Sequence, residues 1–479
     1  MILLDGATLT PDLLHEIALG ARVQIHPNAA WAMRVNAEST PTGSNILAKK
    51  RRWLIGDHAD GMDDDSLSKA FILGHCTGVG DPLPAAVVRA AIAARVNVLA
   101  QGISGCRAAT AGVLLAMLNN NVTPTVPAQG SVGAAGDLAP MAHIAAVACG
   151  YLDPSPELPD FVPTPKEALA LINGVSLTTA LAAIAVVRAR RVLESAIIAA
   201  AMTMEVVRAD TRCIDARSLA HGHAGARLIG RRLREQLEGS TLASSHRSPD
   251  AFSIRCTPQV MGAVWRTLSF ASVEVHNELN AVSDNPLLID GAWLEAGNFH
   301  GASVAMAMDH LKVALAQLAT LSERRTFRLT HGQLSKGLPS FLVAGTGLNS
   351  GFMLAQYTAA SLASECKTLS HPASVDTIPT VQHHEDHVSM GPIAARQALR
   401  MVECVADIVG IELMLAAQGL DLRRNDGDPL APKIAAHLAT VRGAINFWED
   451  DQVMHPDIAA SGQLVRSAAM LGDGTARGW

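Results

Sequence analysis

The chain has 479 residues, of which 49% are hydrophobic and 17% are charged, so it is long enough to bury a large apolar core. Its net charge is −6, with 38 Lys and Arg residues against 44 Asp and Glu residues, and this balance argues against a nucleic-acid partner. Aromatic residues make up only 4%, and the two tyrosines are Tyr151 and Tyr357. Composition therefore favours chemistry on a small-molecule substrate.

The first twenty residues lack a basic segment and contain three acidic residues, where a signal peptide is uncharged, so a cytoplasmic location is expected. The longest apolar stretch, residues 181–204, is interrupted by charged residues and predicts a buried helix rather than a membrane span. Seven cysteines without a CxxC pair indicate neither a disulfide framework nor a zinc ribbon. We therefore expect no membrane partner and no metal.

Long helices dominate the predicted secondary structure. Six segments rich in Ala and Leu repeat apolar residues at helical spacing, and alternating strands are scarce. Helices this long and apolar need partners on several sides, as in a bundle or an oligomer interface. The sequence therefore predicts an all-α fold with a long central helical bundle. The predicted helices cover residues 85–100, 178–208, 259–281, 302–322, 351–369 and 392–420.

Two loops with strong turn chemistry suggest where the chain divides. Residues 152–165 contain five prolines, and residues 420–432 are rich in Asp, Arg, Gly and Pro. These loops predict an N-terminal helical part over 1–165, a central bundle over 166–420 and a C-terminal helical part over 421–479. The proline-rich segment is about equally consistent with a surface excursion inside one domain.

A glycine-rich loop, GSVGAAGDLAP, spans residues 130–140 and is the first candidate site. Three glycines among small residues indicate that the backbone itself makes a close contact there. The loop does not match a phosphate-binding motif, because no Lys-Ser or Lys-Thr pair follows it and no clear strand precedes it. A tight turn before a helix starting near Asp137 is the alternative.

Further motifs follow in order along the chain, and together they resemble the aromatic amino acid ammonia-lyase family, which includes the histidine ammonia-lyases. The resemblance covers most of the chain. It implies an all-helical subunit of the ammonia-lyase and fumarase-like superfamily, a homotetramer, and sites shared between subunits. The matching motifs are LGHCTGVGDPLP with His75, LINGVSLTTA with Asn173, FSIRCTPQVMGA with Arg255, SDNPL from Ser283, GNFHG with Asn298 and Phe299, and HHEDHVSMG from His383.

Three positions depart from the family. The resemblance implies that an Ala-Ser-Gly triplet cyclises into an electrophilic methylidene-imidazolone group, but here the triplet is Ala134-Ala135-Gly136 and Ala135 has no β-hydroxyl to lose. The tyrosine of the family's N-terminal loop is replaced by Met33, in residues 33–40, and a second active-site tyrosine is Phe252. We therefore expect no prosthetic group and no cofactor, whether the change at Ala135 is natural or engineered.

The retained positions point to an amino-acid substrate. The resemblance implies that Arg255 binds the substrate carboxylate, a role suited to a planar bidentate donor. It places Asn173 and Asn298, with Phe299 beside the latter, in the same pocket and His75 on the side that binds the ring. Each of these residue types also occurs in purely structural roles, as a surface arginine, a capping asparagine or a core histidine.

The segment QHHEDH, residues 382–387, is the sharpest local feature. Its Glu385 matches the glutamate that the family places against the substrate imidazole, while His383 and His384 replace Asn and Gln. His383 and His387 lie four residues apart, as in a zinc motif, but the required glutamate is missing, so no metal is expected. We predict Glu385, His384 and His383 as catalytic residues, with Glu38 a further candidate base, against the alternative that the histidines only hydrogen-bond within the loop.

The missing serine and tyrosines, together with the retained substrate-binding positions, favour an elimination reaction that needs no prosthetic electrophile. A quaternary nitrogen leaves as a neutral tertiary amine, and one branch of the superfamily, similar to ergothionase, eliminates trimethylamine from ergothioneine to give thiolurocanate. Phe252 and Met33 then suit an apolar lining around a trimethylammonium group. We predict a cofactor-independent carbon–nitrogen lyase of this type. The alternatives are an inactive homologue that binds an imidazole amino acid and a histidine ammonia-lyase disabled at Ala135.

Overall fold

The computed structural model describes residues 1–38, 63–244, 250–425, 427 and 429–471. Within them the chain forms seventeen α-helices and six short strands. The strands pair two by two, β1 with β2 in parallel and the other two pairs antiparallel, so no extended sheet forms in the described part of the chain. The predicted all-α fold is confirmed.

The elements are numbered in chain order. The strands are β1 (Ile2–Leu4), β2 (Val23–Ile25), β3 (Val79–Pro82), β4 (Pro127–Gln129), β5 (Leu287–Ile289) and β6 (Ala292–Leu294). The helices are α1 (Pro11–Ala18), α2 (Pro27–Glu38), α3 (Asp64–His75), α4 (Ala85–Ala100), α5 (Ala108–Asn119), α6 (Leu138–Ala148), α7 (Pro165–Ile172), α8 (Ser176–Val206), α9 (Ala216–Leu219), α10 (Ala224–Gln236), α11 (Phe252–Arg255), α12 (Thr257–Leu279), α13 (Ala302–Thr330), α14 (Met353–Leu369), α15 (Gly391–Asn425), α16 (Pro432–Arg442) and α17 (His455–Arg466).

All six predicted helices are present, and the largest difference is at the end of α13. The sequence predicted an end at residue 322, but the helix continues to Thr330. The reason is that Arg325 is completely buried against Glu412, a partner distant in sequence. Residues 181–204 lie within the buried helix α8, as predicted.

The chain groups into two compact units. Unit 1 contains residues 1–187, 271–309 and 372–399, and unit 2 contains residues 188–270, 310–371 and 400–479. Four of the five bounds fall inside the four longest helices, α8, α12, α13 and α15, and the fifth follows the end of α14. The division into three parts stays a prediction. Residues 39 and 40 of the N-terminal loop, and residues 472–479 of the predicted C-terminal part, lie outside the described residues.

In unit 1, helix α4 is the centre of the core. Its residues from Val87 to Ala100 are all buried, and α1 and α5 pack against it. Helix α3 packs against α6 and α7. A helix that is buried all round requires neighbours on every side, and α4 carries even Arg95 and Asn97 away from solvent.

In unit 2, an ion pair lies within the apolar core. Neither Arg325 nor Glu412 is exposed, and Arg325 Nη2 lies 2.7 Å from Glu412 Oε2. The hydroxyls of Thr203 and Ser322 donate to the same carboxylate over 2.9 and 2.7 Å. The burial of this carboxylate is tolerated because its oxygens accept these hydrogen bonds and face the Arg325 cation. These contacts join α8, α13 and α15 inside the unit.

Within the described ranges, α13 is long and apolar enough by length and composition to cross a membrane. However, 67% of its most apolar stretch is buried inside the protein, as in a core helix. A cytoplasmic location stays a prediction.

Replacing Arg325 by methionine is expected to lower the free energy of unfolding by about 3–5 kcal/mol, because Glu412 is then left buried without its cation. Urea unfolding at fixed protein concentration, followed by circular dichroism, measures this loss. Arg400→Met is the control, since Arg400 and Glu365 form an exposed pair at 4.0 Å whose loss should cost under about 1 kcal/mol. Equal losses in the two variants would contradict the role given to the buried pair.

Candidate functional site

The glycine-rich loop is held against the start of α8 by its backbone. Gly136 pairs with Gly174, the Gly174 amide donates to Ala135 O over 3.1 Å, and the Asp137 amide donates to Gly174 O over 2.8 Å. Ala135 and Gly136 both have left-handed φ angles, +48° and +88°. A Cβ on Gly136 would lie 2.2 Å from Gly174 O. The glycine therefore serves a close backbone contact, as its sequence suggested.

Other residues also approach Gly174 closely on its other side. A Cβ there would lie 1.8 Å from Ser283 O and 2.5 Å from Arg95 Nη2. Arg95 is fully buried on α4, and both of its terminal nitrogens lie 3.5 Å from Ser283 O. The triplet loop, the start of α8 and the SDNPL segment thus meet at one glycine of unit 1.

Asp137 ties the start of α6 to the first turn of α8. Its buried carboxylate accepts hydrogen bonds from the Thr178 amide at 2.8 Å and the Thr178 hydroxyl at 2.7 Å. Burial raises the pKa of Asp137 to about 6, although Thr178 and the charge of Arg95 act in the opposite direction. Burial likewise raises the pKa of Glu278 to about 7, with the charge of Asp137 adding to the effect.

Asn173 offers an unsatisfied acceptor beside the triplet loop. Its side chain is 1% exposed, and Nδ2 donates to Asn285 O over 2.8 Å. Its Oδ1 has no hydrogen-bond partner among the residues that the structure describes. Buried acceptors in proteins are almost always paired, so this oxygen is suited to receive an N–H from a ligand.

The histidine-rich segment forms a tight left-handed turn. Val381, Gln382 and His383 have φ angles of +48°, +52° and +69°, which are strained for residues with a Cβ. The turn is closed by Thr380, whose amide donates to Glu385 O over 3.0 Å and whose hydroxyl donates to Glu385 Oε2 over 2.8 Å. Glu385 is half-buried, whereas His383 and His384 are exposed.

The GNFHG segment lies next to the end of this turn, because the rings of His300 and His387 are 5.6 Å apart. Asn298 is exposed in the single chain and Phe299 is half-buried. Among the described ranges no group of three or more His, Cys, Asp or Glu residues is arranged to hold a metal ion.

Two predicted residues of unit 1 are engaged in local packing. His75 is the last residue of α3, with Nδ1 2.7 Å from Phe71 O and its ring 4.4 Å from the ring of Phe71. Met33 is completely buried on α2. These contacts of His75 neither require nor preclude a ligand, and the burial of Met33 gives it the surroundings of a core residue.

Arg255 and Phe252 belong to unit 2, on the short helix α11. Phe252 is 73% exposed. Arg255 is exposed and lines an open cavity of about 540 Å³ together with Arg212 and Asp210. Arg212 is bound to Asp210, whereas no hydrogen bond or ion pair of the Arg255 guanidinium is found within the described ranges. This cation is therefore available for a carboxylate ligand.

The SDNPL motif was matched in sequence without a role, yet it supplies contacts to the surroundings of the triplet loop. Ser283 O closes on Gly174, and Asn285 O accepts from Asn173. The motif itself could have located these residues. The role of a backbone carbonyl, however, cannot be predicted from residue type, because every residue has one.

Comparisons with known proteins agree on one family. Residues 56–443 match the family model for aromatic amino acid lyases. The histidine ammonia-lyase of Anaeromyxobacter sp. (strain K) is 41% identical, and the match covers 97% of this chain and 98% of that protein. The structure of histidine ammonia-lyase from Trypanosoma cruzi has a TM-score of 0.88 at 36% identity, covering 98% of this chain and 94% of that one.

The predicted elimination of trimethylamine from ergothioneine to give thiolurocanate is wrong. The ergothionase structure from Treponema denticola shares the fold, with a TM-score of 0.86 over 98% of this chain, but is only 22% identical. The much more similar histidine ammonia-lyases overturn that assignment. The physical reason is that missing hydroxyls do not specify a substrate. The apolar lining proposed for a trimethylammonium group is not supported either, because Met33 is buried in the core.

The expectation of a branch without a prosthetic group is likewise corrected, because histidine ammonia-lyases carry the methylidene-imidazolone group, which forms autocatalytically. The loop fits this group in its backbone: Ala135 and Gly136 already form a tight left-handed turn. The side chain of Ala135 does not fit, since it has no β-oxygen to be lost as water. Within the loop, the disagreement is confined to this one side chain.

Asp137→Asn is expected to flatten the pH dependence of the free energy of unfolding between about pH 4 and pH 6. An aspartate whose pKa is raised from its ordinary 3.8 to about 6 binds its proton more tightly in the folded chain. Stability from this group is therefore present at low pH and falls, by about 3 kcal/mol, as pH rises through the interval. Urea unfolding over this range measures the slope.

The exposed Asp160→Asn should leave that slope unchanged. If Asp137→Asn also left it unchanged, the carboxyl of Asp137 would have to be ionised throughout the interval, which contradicts the effect of its burial.

Proposed function

Because this chain belongs to the aromatic amino acid lyase family, we propose that it is a carbon–nitrogen lyase of the ammonia-lyase type that acts on histidine or a closely similar imidazole amino acid. The observation that carries the proposal is the 41% identity to a histidine ammonia-lyase over 97% of the chain. Polar groups at the matched positions add chemical support. They suit the three parts of such a substrate, namely its carboxylate, its amino group and its ring.

Arg255 is the proposed partner of the carboxylate. Its guanidinium offers a planar fork of donors that matches two carboxylate oxygens, and it has no acidic partner within the described ranges. Arg212, in the same cavity, is already bound by Asp210 and is a poorer candidate. The amino group is assigned to Asn173, whose buried Oδ1 needs a donor.

The ring is assigned to the histidine-rich turn. One oxygen of Glu385 is held by the Thr380 hydroxyl, so the carboxylate is oriented and its other oxygen can accept an imidazole N–H. His384 and His383 stand beside it on a strained turn, and strain of this kind is common at functional sites. His75, Asn298 and Phe299 complete the proposed pocket.

The base that removes the β-proton has to come from a group other than tyrosine, because Met33 and Phe252 stand at the family's tyrosine positions. We assign it to Glu385 first and His384 second, since a general base must reach the substrate next to the ring it also binds. Glu38 is exposed at the end of α2 and comes third.

We also propose a homotetramer with sites shared between subunits, in which Arg255 is contributed by another copy of the chain. Large apolar side chains lie exposed along the long helices of the single chain, where a soluble monomer would carry polar residues. They include Phe270 and Val273 on α12, Met306 and Val313 on α13, and Leu354 and Tyr357 on α14.

With L-histidine as ligand, the wild-type chain is expected to show saturable binding by calorimetry. Ala135→Ser should then raise urocanate formation, followed by its absorbance, about tenfold or more, which corresponds to at least 1.4 kcal/mol of barrier. The physical reason is that serine restores the one atom in which the loop disagrees with the family. Ala134→Ser is the control, because it adds a hydroxyl at the neighbouring position.

Absence of histidine binding by every variant would contradict the substrate assignment. If histidine binds saturably but neither the wild-type chain nor Ala135→Ser forms urocanate, the lyase assignment is contradicted. The protein would then only bind the amino acid.

Arg255→Met is expected to weaken the binding of histidine about tenfold or more and to leave the binding of histamine, which lacks the carboxylate, unchanged. Calorimetric titration with both ligands gives this comparison. Arg266→Met, at an exposed arginine of α12, should affect neither ligand. An equal loss for histidine and histamine would show that Arg255 does not bind the carboxylate.

A further inference from the structure

Asn285 makes hydrogen bonds in several directions at once. It is 4% exposed, and its carbonyl accepts from Asn173 Nδ2 over 2.8 Å. Its side-chain Oδ1 accepts from the Ala296 amide over 2.6 Å, and its Nδ2 donates to Glu295 Oε2 over 2.9 Å. One residue therefore contacts both a polar residue of the proposed pocket and the segment that leads into GNFHG.

The segment around Asn285 is itself held firmly. Asp284, completely buried, forms an ion pair with Lys166 at 2.9 Å and accepts a hydrogen bond from the Asn285 amide at 2.7 Å. Ser283 O lies against Gly174 and the guanidinium of Arg95. Asn285 is thus a fixed reference point rather than part of a mobile loop.

The contact with Asn173 decides which way the amide of Asn173 is turned. Because Nδ2 donates to the carbonyl of Asn285, the oxygen Oδ1 is left as the free end of the side chain. In the opposite orientation two oxygens would face each other at hydrogen-bond distance. The acceptor assigned to the substrate amino group is therefore set by Asn285.

The side-chain contacts act on a different part of the proposed pocket. Glu295 and Ala296 precede Asn298, Phe299 and His300 in a stretch without helix or strand. In such a stretch the backbone has few hydrogen bonds of its own, so the two bonds to Asn285 are its anchor at this end.

We infer that Asn285 is a positioning residue of the substrate site, which orients the Asn173 amide and anchors residues 295–300 from one fixed point. The inference deepens the proposed function and rests on it for the identity of the ligand. It does not require Asn285 to contact the substrate.

The test uses Asn285→Asp, which keeps the size of the side chain and the oxygen that accepts from Ala296. It replaces the donor by a second oxygen facing Glu295, so that contact becomes repulsive. The amides of residues 295–300 should exchange hydrogen faster, and the affinity for L-histidine should fall about tenfold. The exposed Asn277→Asp, eight positions earlier, is the control for an added charge.

Adding Glu295→Gln to Asn285→Asp supplies a new donor that faces the aspartate and restores the net charge. This double variant should recover both the slow exchange and most of the histidine affinity, whereas Glu295→Gln alone should not improve either. Recovery through the reversed pair is a result that general destabilisation does not produce.

The two proposals fail in different ways. If the wild-type chain does not bind histidine, the proposed function is wrong, while the exchange of residues 295–300 still tests the anchor without any ligand. If Asn285→Asp leaves that exchange and the histidine affinity unchanged, or if the double variant recovers neither, the positioning role of Asn285 is overturned.

Discussion

The arrangement of unit 1 depends on the absence of a side chain at Gly174. Three backbone segments that are far apart in sequence approach one another there, and added Cβ atoms at Gly136 and Gly174 would lie within 2.2 Å of carbonyl oxygens. Such distances cannot be relieved by moving a flexible side chain, because the opposing atoms are themselves backbone. The contacts of Asp137 with Thr178 and of Asn173 with Asn285 are built on this approach.

The helices could be predicted from sequence, with both ends of α4 exact, but the end of α13 could not. Ala- and Leu-rich segments with helical spacing located all six long helices, since periodicity is a local property of the chain. The end of α13 was placed at residue 322, before Arg325, and an arginine is usually exposed to solvent. Arg325 is instead buried against Glu412, 87 residues away, and no local pattern shows where such a partner lies.

The site was only partly accessible from sequence. Motif resemblance located the family, but the reaction inferred from Ala135, Met33 and Phe252 was wrong, since a missing hydroxyl removes one chemistry without naming another. Identity over the whole chain decides between related reactions more strongly than three side chains do. The sequence did not indicate a role for Asn285, for a different reason. Half of its role lies in a backbone carbonyl, and its partners Glu295 and Ala296 have no distinctive pattern.

The left-handed triplet turn affects what can be concluded when such a motif is found in a sequence. In GSVGAAGDLAP, Gly130 and Gly136 are required by close contact with other main chain and Gly133 by contact with the Ser389 side chain, and these requirements are the same whether residue 135 carries a hydroxyl or a methyl group. The glycines of the loop therefore serve packing, whichever side chain stands at position 135. A loop of this kind therefore indicates a shared fold, and only its central side chain indicates the chemistry.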